Sequence, residues 1–137
     1  MKWMDVVMGE VQAKRDDAQS REARRREVAQ ATQSALESLV RPALQAAAQR
    51  LEADGGAPRL TEYAADEHAG QRLRLAVGEA GEEAFIEFAA EPFHRLIMVW
   101  LCRRKDRRAH RFAVLGLDDL DGTRIDDCLQ AFERAGG

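Results

Sequence analysis

The sequence predicts an α+β protein built from one long N-terminal helix, an antiparallel meander of four to five strands, and a short C-terminal helix. Three observations carry that expectation. From Trp3 to Ala53 the helix formers Ala, Gln, Arg and Glu dominate, interrupted only by Gly9 and Pro42. After the glycines at 55 and 56 the apolar period changes from three or four residues to two, with short turn sequences between the runs. The last segment returns to helical spacing. A chain of 137 residues, 45% apolar and 33% charged, can bury one domain's core while keeping a long helix solvated.

The first helix is expected over residues 3–53, kinked near Pro42, where a backbone donor is missing and the ring crowds the preceding turn. At ~1.5 Å per residue it is ~75 Å long, against a remaining globule about 25–30 Å across. It therefore either projects or folds back, with Gly9 as the place to break. Leu36, Leu39, Val40, Ala43, Leu44, Ala47 and Leu51 recur every three or four positions and form the stripe that faces the core. Residues 12–27 hold no apolar side chain larger than alanine, and Asp17–Arg21 and Glu22–Arg26 are spaced as i,i+4 ion pairs on a solvated rod. Beyond the rod, Trp3, Met4, Val7, Met8 and Val11 form a second apolar stripe with nothing of its own to bury against. This divides the chain into a projecting rod with an apolar tip (1–27) and a single α+β domain (28–137).

The helix ends at "EADGG", where Gly55 or Gly56 can take the left-handed position after the last turn. "PRLTEYA" is a short strand. "RLRLAV" alternates Leu73, Leu75 and Val77 against Arg72 and Arg74, and after the turn "GEAGE" the run "EAFIEFAA" places Ala84, Ile86 and Phe88 on one face. Leu96–Cys102 and Arg111–Leu117 are apolar on both faces, so they are expected in the middle of the sheet with both faces covered. The final helix takes Thr123 as its N-cap and buries Ile125, Cys128, Leu129 and Phe132.

Charge and motif content limit the chemistry. The net charge is -3, so the molecule as a whole is no polycation, but residues 57–92 carry -5 and residues 93–137 carry +2. Between Phe93 and Phe112 seven Lys/Arg face one acid. The turn Arg103, Arg104, Lys105, Arg107 and Arg108 has two readings. One is a β-ribbon arm on nucleic-acid phosphate; the other is a solvated hairpin tip whose charges discourage aggregation. The second is preferred because no wider basic surface surrounds the turn, and nucleic acid is kept as the alternative. The helix run "REARRRE" spreads its arginines around a turn between Glu22 and Glu27, as a solvated helix does.

No catalytic constellation is evident. Ser20, Ser34 and Ser38 lie in the long helix, where no strained nucleophile turn exists. His94, Cys102 and His110 flank paired strands, but no third orienting group accompanies them. "GLDDLDG" has Leu117 where a calcium loop needs its first acid, which makes Asp118, Asp119 and Asp121 turn and helix-dipole residues. Cys102 and Cys128 have no metal or redox spacing and are expected as reduced core thiols. No run approaches the ~20 apolar residues of a membrane span, and the apolar start is too short for a signal segment. The expectation is a soluble, cytoplasmic protein with no cofactor, no metal and no catalytic site. It acts as an assembly or adaptor module that self-associates, or docks on a protein partner, through Trp3, Met4, Val7, Met8 and Val11.

Overall fold

The computed structural model describes residues 3–67, 69–79, 81–106 and 108–135. Helix α1 (Trp3–Ala35) runs through Gly9 without a break. It continues through a π-helical turn (Leu36–Val40) into α2 (Arg41–Ala53). Five strands follow, β1 (Arg59–Tyr63), β2 (Arg72–Val77), β3 (Ala84–Ala90), β4 (Leu96–Cys102) and β5 (His110–Gly116), then a 3₁₀ turn (Leu117–Asp119) and α3 (Gly122–Arg134). The expected α+β class, its long helix and its antiparallel sheet are all present.

Pro42 shows how the backbone meets a local constraint. In a regular α-helix its ring would crowd the Ser38 carbonyl. The turn before it is widened, with the Arg41 N–H donating to the Leu36 carbonyl, and Pro42 then sits in the first turn of α2, where no donor is required of it. The wider turn also shifts the apolar stripe. Leu36, Val40, Leu44 and Ala47 are fully buried, whereas Leu39, expected in the stripe, is turned out and 40% exposed. At the end of α2, Gly55 has φ +93°. Its N–H donates to the Glu52 carbonyl and the Gly56 N–H to that of Leu51, which is the Schellman arrangement.

The sheet is a pure meander, in the order β1-β2-β3-β4-β5, with every neighbouring pair antiparallel. The helices lie on one face only: α2 over β1 and β2, α3 and the π turn over β3. Into that layer go Leu73, Leu75, Ile86, Phe88, Ile97, Val99 and Leu101, opposite Ile125, Leu129 and Phe132 of α3. An Arg50–Glu133 pair, 3.0 Å, joins α2 to α3.

Two expectations are corrected here. The centre of the sheet is β3, and β5 is an edge strand, because successive hairpins leave the last strand outermost. Its side chains at 110, 111, 112 and 114 are exposed, so its apolar outer face is uncovered. Helix α3 starts two residues earlier than a Thr123 cap implies. Its N-cap is Asp121, whose carboxylate accepts a hydrogen bond from the Arg124 N–H at 2.9 Å, a stronger cap than a threonine hydroxyl so placed.

Candidate functional site

The N-terminal tip is the first candidate. Every residue from Trp3 to Glu27 is exposed, and Val28 is the first with partial burial. Trp3 is 74% and Met8 65% exposed, and Met4, Val6, Val7 and Val11 accompany them. The structure therefore brings the five expected tip residues together on one unbroken helix, with Val6 added to the set. The expected ion pairs of the rod form in part. Glu22 and Arg26 approach to 3.6 Å, while Arg21 donates to the Asp17 backbone carbonyl at 3.4 Å in place of its carboxylate. Where the rod meets the domain, the Arg25 guanidinium lies 5.4 Å from the centroid of the Phe93 ring. Thr32 is buried, and its hydroxyl donates to the Val28 carbonyl.

The basic turn follows β4. Arg103, Arg104, Lys105 and Arg108 are exposed, and Arg107 lies outside the described residues. The turn is folded around its one acid: Asp106 accepts from the Arg103 N–H at 3.3 Å and comes within 3.8 Å of His110. Below it opens a broad depression lined by Arg74, Glu83, Phe85, Cys102, Arg104 and Asp106, so the cations share their surface with carboxylates.

Among the described residues, His94 and His110 are not brought together. His110 pairs with Leu101 across the β4–β5 ladder, whereas His94 precedes the other end of β4. Seven residues of strand, ~23 Å at ~3.3 Å each, separate those two ends, so His94 and His110 flank opposite ends of β4. His94 Nδ1 lies 2.7 Å from Glu91 Oε2. His68 lies outside the described residues. Burial first, then the charge of Asp106, pushes the Cys102 thiol above its ordinary range; burial, with Asp127, does the same to Cys128. Neither thiol is activated as a nucleophile. Among the described residues no three His, Cys, Asp or Glu side chains converge to hold a metal ion, and no helix is long and apolar enough to cross a membrane.

Two features were not foreseen. The first is a polar knot between α2 and the sheet. Arg41 binds Glu37 at 2.7 Å and Glu62 at 2.9 Å, and the Gln71 amide donates to the same two carboxylates. Arg41, then Gln71, hold the Glu37 carboxyl down at about 2, against an ordinary 4.5. Gln71 Oε1 is buried with no hydrogen-bond partner, beside a cavity of about 200 Å³ between α1 and the 65–71 loop. Gly70 closes that loop, since a Cβ there would sit 2.5 Å from the Ala90 carbonyl oxygen.

The second is the open face of the sheet. Its β1–β3 half is a layer of stacked cations: Arg72 lies 4.6 Å from the Tyr63 ring centroid and Arg74 3.9 Å from that of Phe85, with Arg74 also bound to the buried Glu87 at 2.9 Å. Its β4–β5 half is apolar, with Met98 opposite Val114 and Trp100 beside the bulge that carries Phe112. Phe112 is 42% and Val114 44% exposed. The sequence signal was the two-faced apolar content of these strands, which reads equally well as burial on both sides. No protein-family model, curated protein or solved structure matches the chain.

Proposed function

We propose that the protein is a non-enzymatic assembly or adaptor module that engages a protein partner through the apolar tip of its long N-terminal helix. The observation that carries this reading is the tip itself. Trp3, Met4, Val7, Met8 and Val11 stand exposed on a helix whose next sixteen residues are all exposed as well. Leaving such a stripe in water is unfavourable by about 25 cal/mol for each Å² of apolar surface, and covering it with another helix or a groove recovers that free energy. Trp3 is the natural anchor, since large aromatic side chains carry most of the binding energy where they enter a pocket. The polar rod of residues 12–27 acts as a spacer between this contact and the α+β domain. The free, buried thiols of Cys102 and Cys128 suit a reducing compartment such as the cytoplasm.

The alternative, phosphate contact through Arg103–Arg108, has less support, because Asp106 and Glu83 line the same surface. A salt titration of binding to random duplex tests it; a flat, weak response leaves the turn as a solvated hairpin.

The tip is tested with a photo-reactive residue at Val7 in the full chain inside cells, with and without Trp3→Ala/Met8→Ala. The expected outcome is a discrete cross-linked protein, a second copy or another chain, that disappears in the double variant. Absence of any discrete product, with the solution mass unaltered by the double variant, sinks the assignment.

A further inference from the structure

We infer that β5 is a second, independent interface, at which the chain pairs with another copy of itself edge to edge, joining the two meanders into one ten-stranded antiparallel sheet. Among the described residues no strand lies beyond β5, and its side chains are exposed along most of its length. The Leu117 N–H donates to the Arg95 carbonyl on the β4 side. By the alternation of an antiparallel ladder, Val114 and Gly116 then turn their N–H and C=O groups outward, ready for a further strand. The other edge is unlike it: β1 is shorter, and its charged Arg59 and Glu62 are held in ion pairs with Glu83 and Arg41.

The occupant follows from the charge order along the strand. β5 is entered from the basic side, through Arg108, His110 and Arg111, and left on the acidic side, through Asp118 and Asp119, with only Phe112–Leu117 between. Such a segment is complementary to itself when reversed. With the two-fold axis at Ala113, Phe112 of each copy faces Val114 of the other, an aromatic against a β-branched side chain, and this happens twice. Beyond the strand ends, the same pairing brings Arg108 to the end of the joint at which Asp118 of the second copy lies, also twice. Asp118 is largely exposed despite its 3.2 Å contact with Arg95, so it can accept a second cation. The apolar strip of Met98, Trp100, Phe112 and Val114 becomes continuous across the axis and loses its solvent-facing border. A parallel pairing, or a strand of one charge sign, would not satisfy both ends.

The mass of the full chain in solution tests this, measured by light scattering in the Trp3→Ala/Met8→Ala background, so that the tip contributes nothing. A dimer is expected there. Val114→Lys puts one lysine from each copy into an apolar pair, and is expected to weaken the dimer by about a hundredfold, some tenfold for each unfavourable contact. Arg108→Asp creates two like-charged pairs and is expected to weaken it by about tenfold, and adding Asp118→Arg to it is expected to restore the dimer. Both charge positions are exposed, so the swap decides the matter even if Val114→Lys fails to fold. A monomer in the tip-less background overturns the proposal and leaves the β5 edge to a strand of some other protein. So does a dimer indifferent to both Val114→Lys and Arg108→Asp. Neither result touches the tip, whose own test is the Val7 cross-link.

Discussion

The inward and open faces of the sheet take alternate residues of the same five strands, yet they are stabilised by different means. On the inward face Leu73, Leu75, Ile86, Phe88, Ile97, Val99 and Leu101 are sealed beneath α2, α3 and the π turn. On the open face no helix is laid down, and burial is achieved within the layer. Guanidinium groups lie over Tyr63 and Phe85, and Glu87 is buried beside Arg74, while the β4–β5 half leaves Phe112 and Val114 in solvent. The inward face depends on close packing; the open face depends on paired charges on one side and, as inferred above, on a second chain on the other. A two-layer domain can therefore carry a binding surface on the layer it does not cover, at little cost to its own stability.

The widest separation between the faces is expected for phenylalanine. Phe88→Ala leaves a cavity in a sealed core and is expected to cost about 3–5 kcal/mol of unfolding free energy. Phe112→Ala, measured where the chain is dilute enough to be monomeric, is expected to cost under about 1 kcal/mol. Chemical denaturation of both variants checks this. Equal costs would mean that the open face is packed as the inward face is.

A smaller effect belongs to the charged half. Glu87→Ala removes the anion beneath Arg74 and is expected to cost about 1–3 kcal/mol, since Arg74 keeps only its aromatic stacking. A double-mutant cycle with Arg74→Ala isolates the pair. Zero coupling would reduce the ladder to stacking alone.

The smallest expected change is one of pH profile. The Glu37 carboxyl is held at about 2, below its ordinary 4.5, by Arg41 and Gln71. A depressed carboxyl contributes stability that is fully present above pH 4.5 and is lost as the pH falls through 4.5 towards 2. Glu37→Gln is therefore expected to flatten the acid limb of the stability curve in that window by lowering the neutral plateau towards the acid value, with the acid end nearly unchanged. An identical acid limb in the two proteins would show that the knot formed with Arg41, Glu62 and Gln71 is electrostatically inert.

Much of this architecture follows from periodicity alone, for a local reason. Leu73, Leu75, Val77, Ala84, Ile86 and Phe88 are buried because a strand turns alternate side chains to one side, and Ile125, Cys128, Leu129 and Phe132 because a helix repeats near 3.6 residues. Gly55 and the last turn of α2 are equally local, since only glycine takes φ +93° without strain. The exposed tip was legible too, because a stripe separated from every other apolar run by a polar rod has no partner within reach of the chain.

What lay outside the sequence depends on which elements become neighbours. Leu39 belongs to the stripe by spacing, but the widened turn before Pro42 rotates it out. Asp121 and Thr123 are both sound N-caps by composition, and only the path of the 3₁₀ turn selects the aspartate. The two-faced apolar content of β4 and β5 reads as full burial, because sequence records how apolar a strand is and not whether a second layer arrives to cover it. The meander order alone makes β5 an edge, and the placement of the helices on one side leaves Phe112 and Val114 uncovered and Trp100 half-buried. Helical and strand periods are properties of neighbouring residues and are written along the chain. Edges, open faces and the knot of Glu37, Arg41, Glu62 and Gln71 arise from contacts between segments tens of residues apart, and only the folded layers decide them.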